Sequence, residues 1–197
     1  MCTGKCSKAI GVALFPLGVC AILANLLLFF PNGQILDTSL ITDMVWFFGG
    51  IGGGGLLVFI PAFMMLCAGG EGCCANRCGM FISVILSAVG ALGGIYCMII
   101  SSLGLIGGPL CSTDGESYFY PFRTNSTWEG NYLFNQTSWS ICKAPENIVL
   151  WNIVLFSVLL SVGTIEAVLC ITQMINGLLG CLCGTCMRKR RAGVASM

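Results

Sequence analysis

Four long stretches of this chain contain almost no charged residues. They cover 9–31, 44–70, 78–113 and 147–187, and only the last includes a charged residue, Glu166. An α-helix needs about 20 mainly apolar residues to cross a hydrocarbon core about 30 Å thick, and every stretch supplies them. Backbone groups in lipid must find their hydrogen bonds inside the spanning segment. The sequence therefore predicts an all-α membrane protein with a bundle of four transmembrane helices.

The composition is that of a membrane protein throughout. Hydrophobic residues make up 56% of the 197 residues and charged residues 9%, whereas a soluble domain has about 25% charged residues. We therefore expect a single four-span membrane domain over 1–197. The net charge of +1 argues against a nucleic-acid partner. The predicted spans are 9–30, 44–68, 80–106 and 148–172, and the predicted large outer loop is 109–147.

The basic residues predict the orientation of the spans, because Lys and Arg concentrate in cytoplasmic segments. With both termini in the cytoplasm, seven of the nine basic residues lie inside, and only Arg123 and Lys143 lie outside. Two sequons for N-glycosylation, at Asn125 and Asn135, fall in the loop that the charges place outside. The pattern predicts a multi-pass membrane protein with cytoplasmic termini and a glycosylated outer loop. The plasma membrane is the expected location, and an internal membrane is the alternative left open.

The 14 cysteines divide by compartment. Cys111 and Cys142 are the two cysteines of the large outer loop, and an oxidising lumen is expected to pair them as a disulfide. A second group lies at the inner membrane edge beside basic residues, where S-palmitoylation is expected. Unmodified thiols and a zinc site remain alternatives, although a chain without histidine would need four thiolates. The inner cysteines are Cys2, Cys6, Cys73, Cys74, Cys78, Cys181, Cys183 and Cys186.

Glu166 is the ionisable residue deepest in a predicted span. A carboxyl group at the bilayer centre costs about 2.5–3.5 kcal/mol on insertion scales, so it should face the bundle interior and find a partner. Asn25 of the first span is the expected partner, with Gln173 and Asn176 further along the fourth. Three interpretations stay open: an interhelical hydrogen bond, a polar floor for a bound lipid such as a sterol, and a proton or ion pathway.

Glycines and aromatic residues carry two further expectations. The glycine run of 49–55 matches a phosphate-binding pattern, but its apolar setting and the lack of a preceding strand favour close helix packing instead. The outer loop is rich in aromatic residues, which predicts a protein interface, a small core of the loop's own or a position at the level of the lipid headgroups. Trp46 and Trp151, at the outer ends of spans, are typical of an interfacial belt.

Several short motifs are spread over essentially the whole chain. They are Met1-Cys2-Thr3-Gly4-Lys5-Cys6, Phe30-Pro31-Asn32-Gly33, Gly108-Pro109-Leu110-Cys111, Trp139-Ser140-Ile141-Cys142 and Trp151-Asn152. Together these motifs resemble the L-six antigen family of tetraspanin-like four-span proteins. That resemblance implies lateral organisation of membranes, coupled to adhesion receptors, growth and motility. It also supports the Cys111–Cys142 disulfide and acylation of the inner cysteines.

Two functional hypotheses follow. The first is a non-enzymatic scaffold that associates laterally with adhesion or growth-factor receptors, and with other copies of itself. The second is a protein that binds or transports a lipid or sterol in an intramembrane cavity near Asn25 and Glu166. An enzyme is not expected, because the chain has no histidine, no paired carboxylates and no hydrolase motif. No cofactor or metal is expected either.

Overall fold

The computed structural model describes residues 3–33, 41–68, 77–113, 117–123 and 132–183. Within these ranges, four helical segments are long and apolar enough to cross a membrane, which confirms the predicted four-span architecture. The helices are α1 (Thr3–Leu28), α2 (Leu57–Ala68), α3 (Arg77–Gly107) and α4 (Ile148–Cys183). A π-helix over Gly49–Leu56 precedes α2 and continues into it.

The helices are longer than the predicted spans in places. The 36 residues of α4 make it about 54 Å long, which exceeds a hydrocarbon core of about 30 Å. It therefore continues past the end of the span predicted at residue 172. We call the end of the bundle that carries residues 108–147 the loop end, and the opposite end the terminal end.

The interior of the bundle is packed in two layers along its axis. Near the loop end, Ala21, Leu28, Cys97, Phe156 and Leu159 belong to one buried cluster. Towards the terminal end, a second cluster contains Ile10, Leu14, Val58, Ala62, Met65, Ala91 and Cys170. Large apolar side chains on the outward faces, such as Phe63 and Leu92, are exposed, as expected of helices that face lipid.

Glycines allow the helices to approach closely, as the sequence pattern predicts. A Cβ atom on Gly94 of α3 would lie 2.9 Å from the backbone oxygen of Gly163 and 2.9 Å from the backbone nitrogen of Ala167, both in α4. A Cβ on Gly53 would lie 2.7 Å from the backbone oxygen of Gly93. These contacts hold α3 between α4 and the π-helix.

The π-helix begins at an abrupt change of backbone direction. Phe48 has φ 48°, in the left-handed region, and joins a short 3-10 helix over Asp43–Phe47 to the π-helix. The Tyr96 hydroxyl of α3 donates a hydrogen bond to the Phe47 carbonyl oxygen at 2.9 Å. Phe48 also stacks on Phe29 of the segment after α1, with ring centroids 5.8 Å apart. The entry to the second span is thus fixed by α3 and by the end of α1.

The described residues of the large loop form a small folded unit at the loop end of α3 and α4. Cys111 and Cys142 form a disulfide, as the sequence predicts. Two short strands, β1 (Cys111–Ser112) and β2 (Tyr118–Phe119), pair antiparallel, and Ser112 also pairs with Ala144. Gly108, with φ +70°, ends α3 and turns the chain into β1.

Aromatic residues fill the centre of this unit. Tyr132 is buried and stacks on Phe122 with ring centroids 4.4 Å apart, and its hydroxyl donates to the Leu105 carbonyl of α3. The indole nitrogen of Trp139 donates to the Tyr132 carbonyl at 2.8 Å. Burial raises the pKa of Tyr132, so its hydroxyl remains a donor. The loop therefore has the small core that was one of the alternatives predicted for its aromatic residues.

Candidate functional site

A polar network joins all four helices near the terminal end. The Gln173 side chain is fully buried, and its Nε2 donates to the hydroxyls of Ser7 at 2.9 Å and Ser83 at 3.0 Å. Asn176 donates to Gln173 Oε1 at 3.1 Å. The Ser7 hydroxyl donates to the Met65 carbonyl at 3.3 Å. These bonds connect α1, α2, α3 and α4 through one amide side chain.

The composition of this network indicates a structural role. Its side chains are amides and hydroxyls, so none of them changes charge near neutral pH. Buried polar groups that are all hydrogen-bonded specify one arrangement of a core. Asn176 therefore bonds to Gln173, and Gln173 bonds to the two serines. Both residues were expected from the sequence only as further partners for Glu166.

Glu166 lies near the midpoint of α4 and is fully buried. Its Oε2 atom lies 3.1 Å from the position that a Cβ on Gly54 would occupy, and the Cys97 sulfur lies 3.3 Å from the same position. Neither carboxyl oxygen has a hydrogen-bond partner among the described residues. The carboxyl group therefore packs against the bare backbone of the π-helix.

Asn25 is also buried, but it lies at a different level of the bundle. Its Cβ lies 2.7 Å from the position of a Cβ on Gly50, and its Oδ1 has no hydrogen-bond partner in the described structure. The expected bond between Asn25 and Glu166 is therefore wrong. The reason is geometric: Asn25 packs at Gly50 and Glu166 at Gly54, four residues further along the π-helix.

The chemistry available around Glu166 is limited. Packing is tight, since the Cβ of Ala21 lies 2.9 Å from the Gly54 Cβ position. In the ranges that the structure describes, no group of three or more His, Cys, Asp and Glu side chains is placed to hold a metal ion. The arrangement supplies unpaired acceptor atoms on Glu166 and Asn25 in an apolar core, which is suited to holding a hydrogen-bond donor.

The two loops at the loop end are joined by hydrogen bonds. The backbone N–H of Asp43 donates to the Tyr120 hydroxyl at 2.9 Å, and the N–H of Leu110 donates to Thr42 Oγ1 at 3.4 Å. The Arg123 guanidinium lies 5.7 Å from the centroid of the Tyr120 ring. Burial, and secondarily the Asp43 carboxylate, raise the pKa of Tyr120. The large loop is thus attached to the segment that leads into the second span.

Of the two predicted glycosylation sites, Asn135 lies in the described structure and Asn125 does not. Asn135 is exposed and caps the 3-10 helix Gln136–Ile141. Its Oδ1 accepts hydrogen bonds from the backbone N–H of Thr137, at 3.2 Å, and from the Thr137 hydroxyl. The side chains of Asn135 and Thr137 therefore lie at the surface of the loop, and glycosylation at both positions remains a prediction.

The predicted acylation sites are described only in part. Cys6 is exposed and Cys181 is half-buried, and neither is in a disulfide. Cys78 and Cys183 lie in α3 and α4, but their side chains are outside the description. Cys2, Cys73, Cys74 and Cys186 fall outside the described residues. Palmitoylation at all eight stays a prediction.

Trp151 and Asn152 have roles that were not predicted from the sequence. The Trp151 indole donates to the Leu27 carbonyl at 3.0 Å and so joins α4 to the last turn of α1, beyond the belt position predicted for it. Asn152 is 2% exposed, with an Oδ1 atom that has no partner among the described residues. A polar residue at the start of an apolar span was the available signal for Asn152.

Comparison with known proteins agrees with this architecture. The family model described as L6 membrane protein matches residues 1–187. Transmembrane 4 L6 family member 4 of Rattus norvegicus is 45% identical over 196 residues, covering 94% of each chain. Member 5 of Bos taurus is 44% identical, covering 96% of this chain and 98% of its own.

The similarity extends to a third named member. Transmembrane 4 L6 family member 1 of Homo sapiens is 44% identical over 197 residues, covering 94% of this chain and 96% of its own. No solved structure matches the chain. Because the family model and these relatives each cover nearly the whole sequence, the chain belongs to the L6 membrane protein family.

Proposed function

We propose that this protein is a non-enzymatic, tetraspanin-like organiser that associates laterally with other membrane proteins, including adhesion and growth-factor receptors. One observation carries the proposal. The large loop is stapled by a disulfide and attached to α3, yet it presents Phe134 with 77% of its surface exposed. Aromatic residues are enriched among the residues that contribute most to protein interfaces, so an aromatic side chain exposed on this loop supports a protein-binding role.

The orientation and membrane of the protein belong to the same proposal. Both termini lie in the cytoplasm and the loop faces the outside of the plasma membrane, which the distribution of basic residues favours. Acyl chains on inner cysteines such as Cys6 and Cys181 would bias the protein towards particular lipid domains. Partners then bind to the extracellular loop, and the acyl chains on the cytoplasmic side direct the lateral sorting of the protein.

The surface at Phe134 can be tested by proximity labelling in cells. We expect Phe134→Ala to remove a defined group of membrane partners, because an aromatic hot-spot residue contributes about 2 kcal/mol or more, roughly a 30-fold change in affinity. The substitution leaves the sequon at Asn135 intact. Labelled proteins are quantified by mass spectrometry after normalisation to the amount of bait at the cell surface.

Phe63→Ala is the matched control, because Phe63 is also an exposed phenylalanine, at 62%, but lies on the outward face of α2. The partner set should survive this change. If Phe134→Ala leaves every partner at its wild-type level, or if both variants lose the same partners, the loop surface is not the recognition element.

A second candidate function, binding of a sterol or other lipid with a hydroxyl group, is favoured by one observation. Asn25 Oδ1 and both oxygens of Glu166 are buried without partners in the described structure, and a lipid hydroxyl would supply a donor. The tight contacts at Gly50 and Gly54 mean that such a ligand would have to separate α1 from the π-helix. This function therefore ranks second.

Capture of a photo-crosslinkable sterol tests the second candidate. If Glu166 holds the hydroxyl, Glu166→Leu should abolish capture, whereas Glu166→Gln keeps an acceptor oxygen and should retain most of it. Capture is measured in membranes as the crosslinked fraction that excess unlabelled sterol competes away. Equal capture by the wild type and Glu166→Leu would contradict a site at this carboxyl group.

A further inference from the structure

A small cavity lies at the loop end, between the last turn of α1, the segment that leads into the second span, and the first turns of α4. Leu28, Val45 and Ile148 supply much of its apolar lining, and Thr42 and Asn152 supply polar groups. Its volume is about 10 Å³. That volume is at the lower limit of what one water molecule requires, so the cavity is far too small for a lipid headgroup or a sterol ring.

The polar groups of the cavity are complementary to one small molecule. Asn152 Oδ1 is an acceptor without a partner in the described structure, on a residue that is 2% exposed. Thr42, also buried, accepts a hydrogen bond from the Leu110 N–H, and its own hydroxyl proton has no acceptor among the described residues. The cavity therefore has an acceptor on α4 and a donor on the segment before the second span.

Nearby groups do not compete for these two positions. Trp151 also lines the cavity, and its indole N–H already donates to the Leu27 carbonyl. The Thr42 carbonyl oxygen is engaged by the Val45 N–H at 3.0 Å. A buried acceptor that stays unpaired is costly, whereas a water with two or more polar partners is a common component of protein interiors.

We propose that this cavity binds a single ordered water molecule, which donates a hydrogen bond to Asn152 Oδ1 and accepts one from the Thr42 hydroxyl. This water connects α4 to the segment that carries Asp43, whose N–H holds Tyr120 of the large loop. The water therefore helps to fix the position of the loop relative to the helices. The inference is independent of the proposed function, since it concerns a solvent site and not a partner.

A double-mutant cycle in the full chain, reconstituted in lipid nanodiscs, tests the bridge. Thr42→Val removes the hydroxyl and Asn152→Leu removes the acceptor, each with little change of shape. Distant sites with no shared partner have nearly additive effects, whereas residues that share a cavity or a bridging group are coupled. We expect the Tm of the double variant to differ from the sum of the single shifts by about 2–4 °C. Additive shifts would overturn the proposal.

Thr164→Val is the matched control for Thr42→Val. Thr164 is an exposed threonine of α4 whose hydroxyl donates to the Leu160 carbonyl at 2.7 Å, away from the cavity. Its effect should add to that of Asn152→Leu. If this control pair shows the same coupling as Thr42 with Asn152, the coupling does not come from a shared water and the proposal fails.

X-ray hydroxyl-radical labelling in water enriched in heavy oxygen gives a direct measurement that does not depend on the variants. Val45 lines the cavity but is only 1% exposed, so bulk water does not reach it. A bound water should place heavy oxygen on Val45 in the wild-type protein. Absence of that label, under conditions in which the exposed Phe134 is labelled, would overturn the proposal even if Asn152→Leu failed to fold.

Discussion

Gly50→Ala should destabilise the bundle more than any other single-methyl addition in the π-helix. A Cβ at this position would lie 2.5 Å from the Ala21 carbonyl oxygen, 2.6 Å from Leu159 Cδ2 and 2.7 Å from the Asn25 Cβ. The first of these atoms belongs to the backbone of α1, which cannot relieve the contact by changing rotamer as a side chain can. Overpacking a close contact costs about 1–3 kcal/mol, and we expect the upper end here.

The measurement is the thermal unfolding of the full chain in nanodiscs, together with the fraction of protein that reaches the cell surface. Gly52→Ala is the matched control, because it adds the same methyl group two residues away. There, apart from its chain neighbours and the nearby backbone of its own helix, no atom of the described residues lies within 4 Å. Its Tm should stay within about 2 °C of the wild type, a shift of less than about 1 kcal/mol. Similar losses of Tm for the two variants would show that Gly50 does not make the close contact described.

The glycine segment shows what could be predicted and what could not. A glycine-rich span predicts close packing because glycine lets backbones approach in lipid, and Gly50 and Gly54 do pack against α1. The π-helix could not be predicted from the sequence. A segment made mostly of glycine has little conformational preference of its own. The helices packed against it, α1 on one side and α3 on the other, therefore determine its hydrogen-bond pattern.

Glu166 and Asn25 illustrate a different limit. Their identity as buried polar residues could be predicted, because a carboxyl or amide in an apolar span must avoid lipid. Their pairing could not, because the relative depth of α1 and α4 depends on the segments that connect the helices at the loop end. The Trp151 indole on the Leu27 carbonyl is one of the contacts that set this depth. A tryptophan at the end of a span does not by itself reveal such a contact in the sequence.

The hydrogen-bond network at Gln173 could not be predicted from the sequence either, for a related reason. Serine occurs often in transmembrane helices with its hydroxyl bonded to its own helix, as Ser87 and Ser101 are here. Nothing in the sequence distinguishes these from Ser7 and Ser83, whose hydroxyls accept hydrogen bonds from the Gln173 amide.

By contrast, the pairing of Cys111 with Cys142 could be predicted, since their location in the outer loop separated these two cysteines from the others.

Removal of that disulfide is expected to unfold the large loop while leaving the four helices in place. The bridge joins residues separated by 31 positions, and closing a loop of this length contributes about 3–4 kcal/mol in the chain-entropy model. The strand pairing over Cys111–Ser112 is two residues long, and the core around Tyr132 is small. The Cys111→Ala/Cys142→Ala double variant should therefore lose the ordered loop.

Amide hydrogen exchange in nanodiscs measures this loss locally. In the double variant, exchange within the described loop residues, around Ser112 and Tyr132, should accelerate by about two to three orders of magnitude, since every 1.4 kcal/mol is roughly a factor of ten. Exchange in the middle of α3 and α4 should not change. Cys20→Ala is the control, because Cys20 is an exposed free thiol of α1, and its removal should leave the loop protected. Loop exchange within about threefold of the wild type, less than about 1 kcal/mol, would mean that the contacts of Tyr132 with Phe122 and Leu105 hold the loop without the disulfide.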